Sequence, residues 1–116
     1  MRTTLVAAAL ALLTIGAPAG AHHGWSSYDA SKTIEITAAL SEVRWGNPHG
    51  SAKAAYQGKT WDVVLAPVAR MEARGLSEAM LAPGRKVTLV GYPRSDGTAE
   101  MRIERIVAGG KTVELR

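Results

Sequence analysis

The stretch "TIEITAALSEVRWGNPHG", residues 33 to 50, decides the fold. Ile34, Ile36, Ala38 and Leu40 fall on even positions, while Val43 and Trp45 fall on odd ones. Successive side chains of a strand point to opposite faces, so an apolar phase that flips midway requires one extra residue. The spacing therefore predicts a long first strand with a bulge or sharp bend at Ser41 and Glu42. "GNPHG" ends it. Gly46 and Asn47 favour a turn, and Pro48 has no N–H to offer a ladder.

Downstream the period of two persists. An Ala-rich strand runs from Ser51 to Tyr56, and Gln57 and Gly58 turn it into "KTWDVVLA", where Trp61, Val63 and Leu65 alternate. Pro67 suits the first turn of a helix and Gly75 its C-terminal end, with Val68 and Met71 as a short apolar stripe between them. "SEAMLAPG" reads as a further helical turn. "RKVTLVGY" and "EMRIERIVAGG" are two more strands, and "GGKTVELR" closes a hairpin at Gly109 and Gly110. The chain is predicted to be all-β with one short helix. A bent first strand and a helix after the third strand fit a small five-stranded Greek-key barrel of the OB kind. A split sheet with the helix on one face is the alternative.

Upstream lies a leader. Arg2 is followed by an apolar run from Leu5 to Ile15 and then by "GAPAGA", small residues spaced as a signal peptidase reads them. The run is about a dozen residues, short for a bilayer span, so a cleaved signal peptide over residues 1 to 21 is expected rather than an anchor. Residues 22 to 32 then form an N-terminal arm, and residues 33 to 116 the barrel. The expected location is the periplasm or the outside of the cell. The chain contains no cysteine, which excludes disulfides, thiolate ligands and a lipid-modified cysteine. Its formal net charge of +4 is spread without a basic run and falls to +3 when Arg2 leaves with the leader. That distribution favours solubility over a nucleic-acid surface.

The histidines carry the chemistry. All three lie in two segments, His22 and His23 in "AHHGWSSYD" and His49 in the turn "WGNPHG". Cleavage after Ala21 would free the amine of His22 beside its own imidazole. A further imidazole from His23 or His49 would complete three nitrogens in a T shape that suits Cu(II). Cleavage after Gly20 or Ala19 would place His23 or His22 third, where amine, backbone amides and imidazole form a square plane. An all-nitrogen set also admits Ni(II), or zinc on three histidines. The metal ligands expected are His22, His23 and His49. Asn47 and Pro48 set the position of His49, Trp25 and Trp45 shield the site, and Glu42 at the bulge is a candidate partner of a histidine.

Other residues are read as structural. Met71, Met80 and Met101 fit core or helix positions, and Tyr28 with Trp25 docks the arm. Asp29 and Asp62 are isolated acids. Ser26, Ser27 and Ser31 lack a nucleophile elbow, and no phosphate loop or paired helical zinc-protease histidines occur. The chain has no Phe and few aromatics among its Lys and Arg, so it offers no stacking platform for a nucleic acid.

"AHHGWSSYD", "ITAALSEVRWGNPHG", "GKTWDVVLAPVARMEARGLSEAMLAPGRKVTLVGYP" and "EMRIERI" together resemble an exported bacterial family known as domain of unknown function 6152. The most distinctive parts are the paired histidines His22 and His23 and the turn Trp45-Gly46-Asn47-Pro48-His49. This sequence departs from the pattern at its end, "AGGKTVELR". The resemblance implies export and a compact β domain and names no reaction. The expectation is thus a periplasmic, non-enzymatic Cu(II) binder or carrier with a metal ion as its ligand and a periplasmic protein as its one class of protein partner. The competing expectation is a barrel whose face at Arg44, Trp45 and Trp61 grips an organic ligand or a protein, the histidines being incidental.

Overall fold

The computed structural model describes residues 24 to 116. The leader and both His22 and His23 lie outside the described residues. Seven strands form one mixed sheet curled into a half-barrel: β1 (Ile34–Ala39), β2 (Ser41–Arg44), β3 (Ser51–Tyr56), β4 (Lys59–Val64), β5 (Lys86–Pro93), β6 (Glu100–Ala108) and β7 (Lys111–Glu114). One helix, α1 (Val68–Ala73), follows β4, and short 3-10 turns occupy Trp25–Ser27 and Glu78–Leu81.

The strands run in the order β1-β5-β6-β4-β3-β2, with β7 beside β6. All pairs are antiparallel except β4 with β6, where Asp62, Val63 and Val64 face Glu100, Met101 and Arg102. The count differs from the five strands expected for two reasons. The long first strand is interrupted at Leu40, and the terminal hairpin contributes β7 as a strand of its own.

The interruption lies where the apolar phase flips. Ile34, Ile36 and Leu40 are buried, Glu42 takes the left-handed backbone (φ 46), and Val43 and Trp45 then pack on the core. The register between β2 and β3 slips at the same place. One residue in that conformation absorbs the extra position and bends the strand. A second slip separates Val90 and Gly91 on β5, where Glu104 of β6 is the extra residue. It shifts the buried phase of β6 from Met101 and Ile103 to Ile106 and Ala108.

Both tight hairpins form where the glycines stand. Gln57 and Gly58 (φ 49 and 72) join β3 to β4, and Gly109 and Gly110 (φ 56 and 73) join β6 to β7. Two successive positive φ values give the turn whose twist matches that of paired strands.

The concave face holds the core, with Val63, Leu89, Met101, Ile103 and Ile106 all at 0% exposure. Met71 of α1, Leu76 and Leu81 close its end. Six residues are far too few for a free-standing helix, so α1 exists because Met71 is buried there. No polar or charged residue is buried among the described residues. Nor is any helix among them long and apolar enough to cross a membrane.

Candidate functional site

His49 closes the turn between β2 and β3, and α1 holds both ends of that turn. At one end the Trp45 indole N–H donates to the Glu72 carboxylate at 3.3 Å. At the other, Gly50 is tied into the sheet through Ala66 and Leu65, each bond 2.9 Å, and lies over Met71. His49 itself is exposed. Its Nδ1 lies 3.1 Å from the Gly50 carbonyl oxygen, which can only accept. The proton in that bond must be on Nδ1, which leaves the lone pair of the neutral ring on Nε2.

His49 lines an open groove of about 330 Å³ on the convex face of the sheet, together with Glu42, Arg44, Lys53, Asp62 and Glu100. Its charges interlock: Lys53 Nζ lies 3.4 Å from Glu42 and 3.9 Å from Asp62. Both are exposed pairs of small energetic weight, so they bias the groove's shape more than the fold's stability. The structure thus brings Glu42 and His49 to one groove. Trp45 does not join them, because it turns to α1 and the core, and Asn47 is exposed in the turn. Trp61 also packs against the core, its indole N–H donating to the Tyr56 carbonyl. Arg44 therefore lines the groove without either tryptophan beside it.

The arm after the histidine pair is docked. Trp25 stands under two guanidinium groups, with Arg102 Cζ 4.4 Å and Arg116 Cζ 4.7 Å from its ring centroid. The Tyr92 ring meets it edge-on at 6.2 Å. The ring faces of an indole attract such cations, and more so where water is partly excluded. Tyr28 is buried and donates from its hydroxyl to Glu100 at 2.7 Å. Arg94 reaches the same carboxylate at 3.4 Å. Backbone bonds from Asp29 to Pro93 and from Ser95 to Ser27 extend the contact along the end of β5. The reading of Trp25 and Tyr28 as docking residues describes this arrangement.

Their counterparts were hidden in the sequence. Glu100, Arg102 and Glu104 share the polar phase of "EMRIER", which marks them as one face of a strand but not as the seat of an arm. Glu104 accepts from the Tyr92 hydroxyl at 2.6 Å and lies 3.6 Å from Arg116, so it steadies the groups around Trp25.

Burial, and then the hydrogen bond to Glu100, raise the Tyr28 phenol well above its ordinary 10.0. Burial lowers Arg102, with Arg70 and Arg116 adding to the effect. The Arg94 guanidinium holds Asp96 well below the usual carboxylate range. For Tyr28 the folded state favours the protonated form. The stability this contributes is complete below pH 10.0 and fades as pH rises from there toward the folded value. A titration of tyrosinate absorbance should show a late phase that Tyr28→Phe reduces, the Tyr92 phenol, raised by its bond to Glu104, remaining in it; an unchanged late phase would contradict the buried hydrogen bond.

Among the described residues no three His, Asp or Glu side chains cluster closely enough to hold a metal ion. A comparison with curated proteins found no match. The model of a family of unknown function, DUF6152, matches residues 9–102, a span that includes His22, His23 and His49, and the chain belongs to that family.

Proposed function

We propose that the protein is a periplasmic or secreted metal-binding module that takes Cu(II) through His22, His23 and His49, for binding or delivery and not for turnover. One observation carries the reading: the arm is docked on the same sheet face that bears the groove of His49. Arg102 beneath Trp25 is in register with Val64, and Val64 with Ser51, two residues from His49. Two strand spacings across and two residues along the chain amount to about 12 Å. His22 stands three residues before Trp25, three residues span at most about 10 Å, and the imidazole side chains add to that reach. A histidine leaving the arm therefore has the reach to meet Nε2 of His49.

The donor chemistry agrees. Nδ1 of His49 is engaged by a backbone carbonyl, the usual arrangement behind a metal-binding imidazole, and Nε2 remains a donor to metal. Nitrogen donors without cysteine suit Cu(II), with Ni(II) or zinc as the next choices. Bound copper would supply a cation held at the mouth of the groove. Glu42 lies where its carboxylate can orient an imidazole or offset that charge.

The same reading takes the half-barrel as OB-like. β1 and β2 are then the halves of one bent first strand, β3 to β6 the remaining four with α1 between the third and fourth, and β7 a terminal addition.

Intact mass of the exported protein identifies its first residue, and Cu(II) titration of wild type and His49→Ala tests the ligand set. Loss of His49 should weaken binding about tenfold or more, each decade being about 1.4 kcal/mol. Equal affinity in the two proteins would leave an amino-terminal chelate and remove the groove from the site. No Cu(II) binding by the wild type would end the proposal.

A further inference from the structure

We propose that the groove of His49 takes a small hydroxy-carboxylate, its carboxylate on Arg44 and Ser51 and its hydroxyls toward His49 and Asp62. The inference goes beyond the metal reading and uses described residues alone. Its ground is an asymmetry in the groove's lining. Each carboxylate there is already engaged: Glu42 and Asp62 by Lys53 at 3.4 and 3.9 Å, and Glu100 by Tyr28 at 2.7 Å and Arg94 at 3.4 Å. The donors are not. Among the described residues, neither the exposed Arg44 guanidinium nor the Ser51 hydroxyl has a hydrogen-bond or ion-pair partner. What the groove lacks at this end is an acceptor.

Strand register brings the two donors together. Arg44 of β2 pairs with Ser51 of β3, and Ser51 with Val64 of β4. Side chains directly opposed across an antiparallel pair start about 5 Å apart. A guanidinium offers a carboxylate two parallel N–H bonds, and the hydroxyl beside it adds a third donor. Val64, half-buried and apolar, backs the carbon skeleton that follows. Two residues along the strands the character reverses. There Lys53 pairs with Asp62, and Asp62 with Glu100. A second carboxylate on the ligand would meet like charge at that end, whereas hydroxyls would donate to the spare lone pairs of Asp62. His49 selects the same class. With its proton on Nδ1 toward the Gly50 carbonyl, Nε2 is an acceptor in want of an O–H, and in the metal-free protein a ligand hydroxyl supplies one.

The probe is D-glucuronate, titrated at low ionic strength into the metal-free exported protein and followed by amide NMR shifts. Saturable shifts are expected from Gly50 to Lys53 and at Val64. D-Glucose, which lacks the carboxylate, and succinate, which carries a second one, should each bind more weakly. Arg44→Gln should weaken glucuronate about tenfold or more, as loss of a bidentate ion pair does, and Ser51→Ala several-fold. His49→Ala should weaken glucuronate and leave acetate unchanged, a split that a general loss of structure does not produce. Arg85→Gln removes the same charge from an exposed residue outside the groove and should change nothing. Equal weakening by Arg44→Gln and Arg85→Gln overturns the site as mere charge attraction. Succinate binding as tightly as glucuronate, or no saturable shift at these amides, overturns it too. No metal enters these titrations, so the site and the copper reading fail separately.

Discussion

Gly91→Ala is expected to destabilise the domain by about 3 kcal/mol, lowering its melting temperature on the order of 15 °C. Gly91 lies on β5 at the slip where Glu104 of β6 is the extra residue. There the two backbones approach so closely that an added Cβ would sit 2.2 Å from the Arg102 carbonyl oxygen, 2.9 Å from its carbon and 3.0 Å from Ile103 Cα. Every one of these atoms is backbone. A side chain could rotate aside, but a strand can yield only by moving out of its ladder. The loss therefore falls on the β5–β6 pair and on the inward-facing Ile103 beneath it. It also falls on the arm, because Arg102 supports Trp25. Gly46→Ala is the control. No atom lies within 4 Å of its added Cβ, and the change should stay within about 0.5 kcal/mol. Thermal unfolding followed by circular dichroism measures both. A melting point for Gly91→Ala within a few degrees of wild type would mean that the strands are not so close.

The bend in the first strand could be read from six apolar residues because a period of two leaves no freedom: Ile36 and Trp45 cannot both face inward without an extra residue between them. The same rule applies to β6, where Ile103 and Ile106 differ in phase, although the pattern of "EMRIERIVAGG" was legible only as a strand and its slip was not. The hairpins at Gln57-Gly58 and Gly109-Gly110 were legible because two successive left-handed residues are a local demand.

What local pattern could not supply is which strand lies beside which. The parallel pairing of β4 with β6 sets Asp62 next to Glu100, and so carries Glu100 into the groove of His49. No periodicity within either strand contains that fact. Trp45 illustrates a related limit. Its place beside the turn suggested a shield over His49, but the bulge at Glu42 determines the face it takes, and the opposite face received the groove. The histidine turn itself was legible as chemistry, whereas its surroundings depend on long-range contacts.

Met71→Ala should cost about 3 kcal/mol, and its consequences should extend to the turn of His49. The side chain is fully buried, and no other residue of α1 is buried. Its Cε lies where a Cβ on Gly50 would come within 2.7 Å, and Leu65 Cδ1 is 3.5 Å from the same point. Gly50 is thus the floor of the turn, pressed on Met71, and the absence of a side chain there is what lets the turn descend onto the core. Removing three heavy atoms below it leaves a cavity that the sheet, tied by the bonds between Gly50, Leu65 and Ala66, closes only in part. The short helix then loses its one fully buried side chain, which loosens the Glu72 carboxylate that holds Trp45 at the other end of the turn. Met71→Leu, which nearly conserves volume, should cost less than about 1.5 kcal/mol. Val113→Ala supplies the comparison, since Val113 is equally buried but lies on β7. At a temperature where all variants remain folded, Met71→Ala should lower Cu(II) affinity and Val113→Ala should not. Equal Cu(II) affinity in these two variants would separate the turn from the core beneath it, and His49 would then owe its position to the sheet alone.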